Sequence, residues 1–382
     1  MGRLNITEKN TKALVTFQNV SKSFGATKAL IDCNVDFKKG EIHSLVGENG
    51  AGKSTLGKII LGAYKLDSGK TYVDGEEVSI NSPGQAVKIG LVGISQELSL
   101  LSSRTVVDNI AMGREITSGM FVSSKKTKEK VLSVMKHFNL FVNPDAIVGS
   151  LSVAEQQKVE ILRALNSNAR LIVFDEPTAR LASNETEQLH SLVKSLANNG
   201  TTIVYISHFL EEVLTISNRV TLLRNGKLIR TNLAKDETKK SLIEGMTGKE
   251  EGNLFPSIKL IDENSETVLK VENLTRKNEY KDISFEIKKG EIVGLAGLVG
   301  SGRSELAHTI FGDKKPDNGA ISFCGKKITQ SKVSNSINLG MAMVPESRRT
   351  QGLFLARSLI ENISLPYLGK FLSIYGLDKK QE

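Results

Sequence analysis

The stretch that decides the fold is Gly47-Glu48-Asn49-Gly50-Ala51-Gly52-Lys53-Ser54-Thr55. Its Gly-x4-Gly-Lys-Ser spacing is that of a phosphate-binding loop. The apolar run Ile42 to Val46 before it reads as a buried strand. Leu56-Gly57-Lys58-Ile59-Ile60-Leu61 after it has the spacing of a helix packed on a sheet. Gly47, Gly50 and Gly52 let the backbone curl so that several N–H groups converge on one anion. The helix beginning near Lys53 aims its positive end at the same point. Lys53 offers a mobile cation to β- and γ-phosphates, and the Ser54 hydroxyl is a hard oxygen ligand for Mg2+. Glu48, Asn49, Ala51 and Thr55 belong to the same nucleotide-binding loop. A Gly-rich strand-to-helix turn with no ligand would share this local pattern, and the later motifs weigh against that reading.

The 382 residues suffice for two domains with real cores. Hydrophobic and charged contents of 39% and 24% are ordinary for a soluble globular protein. No run of 18 apolar residues occurs, so no membrane span is expected. Met1 to Lys12 lacks the apolar core of a signal peptide, and Ile6 stands where a myristoylation signal needs Ser or Thr. Cys33 and Cys324 match no metal or disulfide spacing. Both are expected as buried small hydrophobes, which fits a reducing cytoplasm. The net charge of +9 is scattered. Its densest run, Lys125 to Lys130, has no interleaved aromatics and reads as a solvated helix face, not a nucleic-acid site.

Helical and strand patterns alternate as far as Thr247, the α/β signature of a mostly parallel sheet. Leu171-Ile172-Val173-Phe174-Asp175-Glu176-Pro177 is an apolar strand ending in two carboxylates. Asp175 is suited to hold Mg2+ through water, and Glu176 to polarise a water attacking the γ-phosphate. Thr202 to Ser207 is another buried strand, with His208 at its carboxyl end, where ligands sit in parallel sheets. Taken alone, a histidine there is more often structural. Gln96 ends a further strand, its amide oxygen a candidate for contact with Mg2+ and the water; alone it means little. Leu151-Ser152-Val153-Ala154-Glu155 opens a helix, and Ser152 with Glu155 forms a capping box that explains the pattern structurally. A capped N-terminus also binds anions, so Ser152 is a candidate contact for a phosphate held by another domain.

The chain repeats itself. Lys38-Lys39-Gly40-Glu41-Ile42 recurs as Lys288-Lys289-Gly290-Glu291-Ile292, and Gly47, Gly52, Gly69 and Gly90 recur as Gly297, Gly302, Gly319 and Gly340, each at an offset of 250. Asn109-Ile110 reappears as Asn362-Ile363, at offset 253. The expected organisation is a first domain at 14–247, a polar linker at 248–267, and a partial second copy at 268–382 that holds no counterparts of residues 130–247.

A phosphate loop, a glutamine strand end, a Leu-Ser-x-x-x signature, an Asp-Glu strand and a strand-end histidine, in this order, resemble an ABC ATPase over residues 14–382. The string Gly47 to Leu56, the signature Leu151-Ser152-Val153-Ala154, and a second loop with Arg303 in place of lysine are similar to the tandem ATP-binding subunits of bacterial monosaccharide importers of the ribose, galactose and xylose kind. So is Val344-Pro345-Glu346-Ser347-Arg348-Arg349 with Gly352-Leu353 after it. The resemblance implies a P-loop NTPase fold with an antiparallel β part and a helical subdomain, within 97–150, that grips a membrane permease fed by a sugar-binding protein. It implies ATP and Mg2+ as cofactors and a place at the cytoplasmic face of the membrane. Phe24 would stack on adenine, Ser152 would meet the γ-phosphate of an opposing domain, and Glu176 and His208 would act in hydrolysis, with two domains closing face to face. A nucleoside importer of the same layout, or a soluble tandem ABC protein, is the alternative. The soluble one is disfavoured by the short, weakly charged linker and the lack of a long coiled coil between Lys53 and Asp175.

Several positions depart from the pattern. Arg303 and Glu305 replace Lys53 and Thr55, Glu346 replaces Gln96, and Ala154, Glu155, Arg180 and Ala182 are unusual. Arginine is bulkier and planar, so weak nucleotide binding is expected in the second copy. A second signature, supplied by another ATP-binding domain, is expected to be needed for fast hydrolysis. Without its own later strands the second copy is expected to be the less protected part.

Overall fold

The computed structural model describes residues 12–94, 99–119, 121–179, 181, 183–248, 262, 265–298, 300–328, 332–373 and 376–382. Gln96, Arg180 and Ala182 lie outside them. The chain divides into two compact units, Met1–Pro256 and Ser257–Glu382.

In chain order the first unit begins with β1 (Ala13–Phe24), β2 (Thr27–Lys38), β3 (Ile42–Val46), α1 (Lys53–Ile60), β4 (Ser68–Val73), β5 (Glu76–Val78), α2 (Pro83–Lys88) and β6 (Leu91–Ile94). Then come α3 (Val106–Ala111), the small hairpin β7 (Thr117–Ser118) and β8 (Phe121–Val122), α4 (Ser124–His137) and α5 (Val153–Asn166). The last third holds β9 (Leu171–Asp175), α6 (Ser183–Asn198), β10 (Thr202–Ile206), α7 (Leu210–Ile216), β11 (Arg219–Arg224), β12 (Lys227–Leu233) and α8 (Lys239–Thr247).

Two sheets result. A six-stranded sheet runs in the order β12-β11-β3-β10-β9-β6, parallel except for β12. An antiparallel sheet runs β2-β1-β4-β5. All five residues of β3 and of β10 are buried, as expected of strands covered on both faces. The central register, Ile203 opposite Ile42 and Ile206 opposite both Leu45 and Asp175, brings the carboxyl ends of β3, β9 and β10 together. Polar side chains lock β3 to β11. The fully buried His43 places Nε2 2.6 Å from Thr221 Oγ1 and Nδ1 3.1 Å from Glu41 Oε1. Arg219 forks onto Asp36 at 2.9 Å. Burial holds the His43 imidazole below its ordinary pKa, against the pull of Glu41.

The segment 97–150 contributes the helices α3 and α4, as expected, but also the β7–β8 hairpin. Lys125, Lys126 and Lys130 lie on the exposed face of α4, as the sequence suggests. The Asn109 side chain accepts from Leu101 N at 2.8 Å and donates to the carbonyls of Leu101 and Thr105. Asn362 makes the same clasp with Phe354 N at 2.8 Å and the carbonyls of Phe354 and Ser358. The repeated Asn-Ile pair thus marks a repeated loop lock.

The second unit holds β13 (Thr267–Arg276), β14 (Tyr280–Lys288), α9 (Arg303–Phe311), β15 (Asn318–Phe323), β16 (Lys326–Lys327), α10 (Val333–Asn338) and α11 (Leu359–Ser364). Its sheet, β14-β13-β15-β16, reproduces the antiparallel sheet of the first unit. The counterparts of β3 and β6 differ. Glu291 to Leu298 and Met341 to Pro345 form no strand, and Ile292 and Val344 are 95% and 96% exposed. Their apolar sequence is that of a central strand, but no ladder is present to satisfy their backbone groups. Amide hydrogen exchange in these two segments is therefore expected to be close to the unstructured rate, against slow exchange in β3, β9 and β10. Equal protection in the two sets would contradict this.

One expectation needs correcting. Cys33 is buried, but Cys324 is exposed. It sits in the turn between β15 and β16 with φ 48°, followed by Gly325 at 73°. Asp74 and Gly75 occupy the matching turn of the first unit at 54° and 90°. Positive φ at both central residues defines a type I′ hairpin turn. At this tip the Cys324 side chain is exposed, while Asp74 at the matching position is half-buried by its ion pairs to Lys39 and Arg170.

Candidate active site at the ends of the central strands

Between β3 and α1 the chain must turn within van der Waals reach of its neighbours. A Cβ on Gly52, whose φ is +107°, would lie 2.5 Å from Ala29 O. Gly57, inside α1, presses the helix onto the sheet: a Cβ there would lie 3.0 Å from Ile206 Cδ1. A Gly52→Ala variant is expected to lose about 2 kcal/mol or more, seen as a fall in Tm of roughly 4 °C or more together with weakened nucleotide binding. An unchanged Tm would show that the loop is looser than described.

Lys53 is 5% exposed. Its ammonium donates to Gly47 O at 2.8 Å and Glu48 O at 3.0 Å, so the cation lies folded over the mouth of the loop. Burial lowers its pKa, while the Glu176 and Asp175 carboxylates oppose the fall. Ser54 Oγ donates to Asp175 Oδ1 at 3.1 Å, joining the start of α1 to the end of β9. Burial raises the Asp175 pKa; the Ser54 bond pulls it back and the Glu176 charge adds to the rise.

Glu176 lies one residue beyond β9 with φ +50°, an unusual conformation for a residue with a long side chain. Its N–H donates to Ile206 O at 2.9 Å, so the turn is tied to β10. Its Oε1 is 3.2 Å from Nδ1 of the half-exposed His208, whose ring lies tilted by 38° against Phe209 with centroids 4.1 Å apart. The geometry therefore brings together Lys53, Ser54, Asp175, Glu176 and His208 from the ends of three neighbouring strands.

Phe24 ends β1, 43% exposed, in edge contact with Tyr64 at 4.9 Å and 5.5 Å from the Lys22 ammonium. Neither Tyr64 nor Lys22 was distinguishable by motif, since the pairing is made by chain reversal after α1. Ser152 caps α5, with its capping box to Glu155 formed. Gln157 on the same helix donates to Pro177 O at 2.9 Å, connecting the capped helix to the turn after Glu176. Gln157 also escaped the motif reading, because a buried glutamine carries no spacing signal.

The sequence profile of the family described as ABC transporter matches residues 30–179 and again 280–379. The chain belongs to the ABC transporter family. It is 39% identical over 368 residues to a ribose import ATP-binding protein of Rubrobacter xylanophilus, covering 96% of this chain and 74% of that one. It is 40% identical over 347 residues to a galactose/methyl galactoside import ATP-binding protein of Clostridium perfringens, covering 91% and 67%. Among solved structures, the ADP conformation of an ATP-binding cassette of an ABC transporter superposes with TM-score 0.56 at 28% identity, over 63% of this chain and all of that one. A nucleotide-free cassette gives 0.55 at 26%, over 62% and 96%. The fold of this ABC protein is thus that of a nucleotide-using cassette, and the family profile occurs in it twice. Among its described residues, no helix is long and apolar enough to cross a membrane.

Proposed function

We propose that this ABC protein is the ATP-binding and ATP-hydrolysing subunit of a monosaccharide importer, working at the cytoplasmic face of the membrane with a separate permease and a sugar-binding protein. The observation that carries the reading is the convergence of buried Lys53, Ser54 on Asp175, and Glu176 on His208 at one end of the parallel sheet. Relatives named for ribose and galactose import supply the substrate class.

In this reading the Gly47–Thr55 loop holds the triphosphate, with Lys53 swinging from the Gly47 and Glu48 carbonyls to the β- and γ-oxygens. Phe24 stacks on adenine. The residues suit Mg2+: the Ser54 hydroxyl and the buried Asp175 carboxylate are hard oxygen donors already in contact. Ser54 and the Gln96 amide oxygen would hold it directly and Asp175 through water, and the cation would neutralise charge on the β- and γ-phosphates. Glu176 orients and polarises water, and His208 holds the Glu176 carboxylate in position. Ser152 meets the γ-phosphate of a facing cassette, and a second ATP-binding domain offers its own signature to the first loop. The domain bounds 14–247 and 268–382, with the linker 248–267, belong to this proposal.

The 382-residue chain alone should bind ATP yet turn over slowly. Steady hydrolysis by the monomer on the order of 1–10 s−1 would contradict the need for an opposing signature. In the host, deleting the gene should abolish uptake of labelled ribose or galactose, restored by the wild type and not by Glu176→Gln. Unchanged uptake of both sugars would overturn the substrate class.

A further inference from the structure

The two units share a hairpin that overhangs the phosphate loop, and its tip differs. Matching backbone bonds fix the alignment. Asp67 N donates to Ser21 O at 3.0 Å, and Asp317 N to Thr275 O at 2.9 Å. Ser23 N donates to Asp67 Oδ2 at 2.6 Å, and Lys277 N to Asp317 Oδ2 at 2.7 Å. On the other side of the tip, a Cβ on Gly52 would meet Ala29 O at 2.5 Å, and one on Gly302 would meet Glu279 O at the same distance. Phe24 therefore corresponds to Asn278, and Ala29 to Glu279; Gly25 to Lys28 have no counterpart.

The aromatic platform is dismantled with the tip. Lys22 becomes Arg276, Phe24 becomes Asn278, and Tyr64, which bonds back to Lys58 O, becomes Lys314, which bonds back to His308 O. In place of two rings in edge contact stand charges: Glu279 takes Arg276 on one oxygen at 3.3 Å and Lys314 on the other at 3.2 Å. Tyr280 replaces Leu30 and packs against the core cluster that includes Leu269, Val271 and Leu274 of β13. Asn278 adopts φ +65°, a conformation that suits asparagine and not a ring-bearing residue.

We propose that the nucleotide base is read in the first unit only, by Phe24 buttressed by Tyr64, and that the second unit grips a triphosphate without regard to the base. The inference rests on the assignment of Phe24 to adenine in the proposed function. A base stacked on an aromatic face gains about five- to hundredfold in affinity, and where the first unit has Phe24 and Tyr64 the second has Asn278 and Lys314, which offer no such face.

Titration calorimetry of the full chain with magnesium ATP and with magnesium tripolyphosphate tests this. The wild type should prefer ATP by tenfold or more, and Phe24→Ala should bring the two within about threefold. In Lys53→Ala the remaining binding should show no preference, within about threefold, and should vanish in the Lys53→Ala/Arg303→Ala double variant. A tenfold ATP preference in Lys53→Ala, tripolyphosphate binding too weak to detect there, or residual binding that survives Arg303→Ala would overturn the inference alone. An unchanged preference in Phe24→Ala would remove the Phe24 assignment itself, and the inference with it.

Discussion

Replacing Lys53 by alanine is expected to weaken ATP binding at the first unit by about a hundredfold or more. The ammonium makes two hydrogen bonds to loop carbonyls, at 2.8 and 3.0 Å, in a slot that leaves it 5% exposed. Phosphate oxygens replace those neutral carbonyls with charged acceptors. Each charge-assisted bond contributes about 1.5–3 kcal/mol, so losing two costs about 3–6 kcal/mol in affinity. The protein's own stability should move less, because the carbonyls released can turn to water at the loop mouth. Lys53→Met separates the two effects by keeping the aliphatic stem: affinity should fall as in the alanine variant while the Tm stays near wild type. Lys53→Arg should recover only part of the affinity, because a planar guanidinium presents its charge differently from a compact ammonium. Full affinity in Lys53→Ala would place the triphosphate elsewhere.

The parts of this fold that local sequence could show are those fixed by neighbours along the chain. The loop, its strand and its helix lie within 19 residues, and each is set by its own pattern, so β3 and α1 fall at Ile42–Val46 and Lys53–Ile60. The capping box at Ser152 is equally local. What the pattern could not show depends on distant partners. Ile42 to Val46 and Ile292 to Ala296 are similar apolar runs, yet only the first is a strand, because β10 and β11 flank it. The Phe24–Tyr64 contact joins residues 40 positions apart through the return of the chain after α1. The clustering of His208 with Glu176 depends on β9 and β10 being neighbours, which the order of motifs does not state. Cys324 was misread because hydrophobic character says nothing about a turn whose backbone needs positive φ twice.

Glu176→Gln is expected to cut ATP hydrolysis by roughly a hundred- to ten-thousandfold while leaving ATP affinity equal or higher. The carboxylate sits at the end of β9, held by its own backbone bond to Ile206 O and by the His208 ring at 3.2 Å. Glutamine keeps the volume, and its backbone meets the same φ +50° that glutamate already tolerates, so the fold has no reason to change. What disappears is the negative charge, and with it the pull on a proton of the attacking water. The same loss removes repulsion between Glu176 and the γ-phosphate and the contribution of Glu176 to the raised pKa of Asp175, which then ionises more readily. The two readouts therefore move in opposite directions, a pattern that simple unfolding cannot produce. His208→Ala should lower the rate less, because it removes the group that steadies Glu176 and leaves the carboxylate itself. A Glu176→Gln variant that kept more than a tenth of the wild-type rate, measured with the facing cassette present, would take the carboxylate out of the chemistry and leave His208 or bound water as the base.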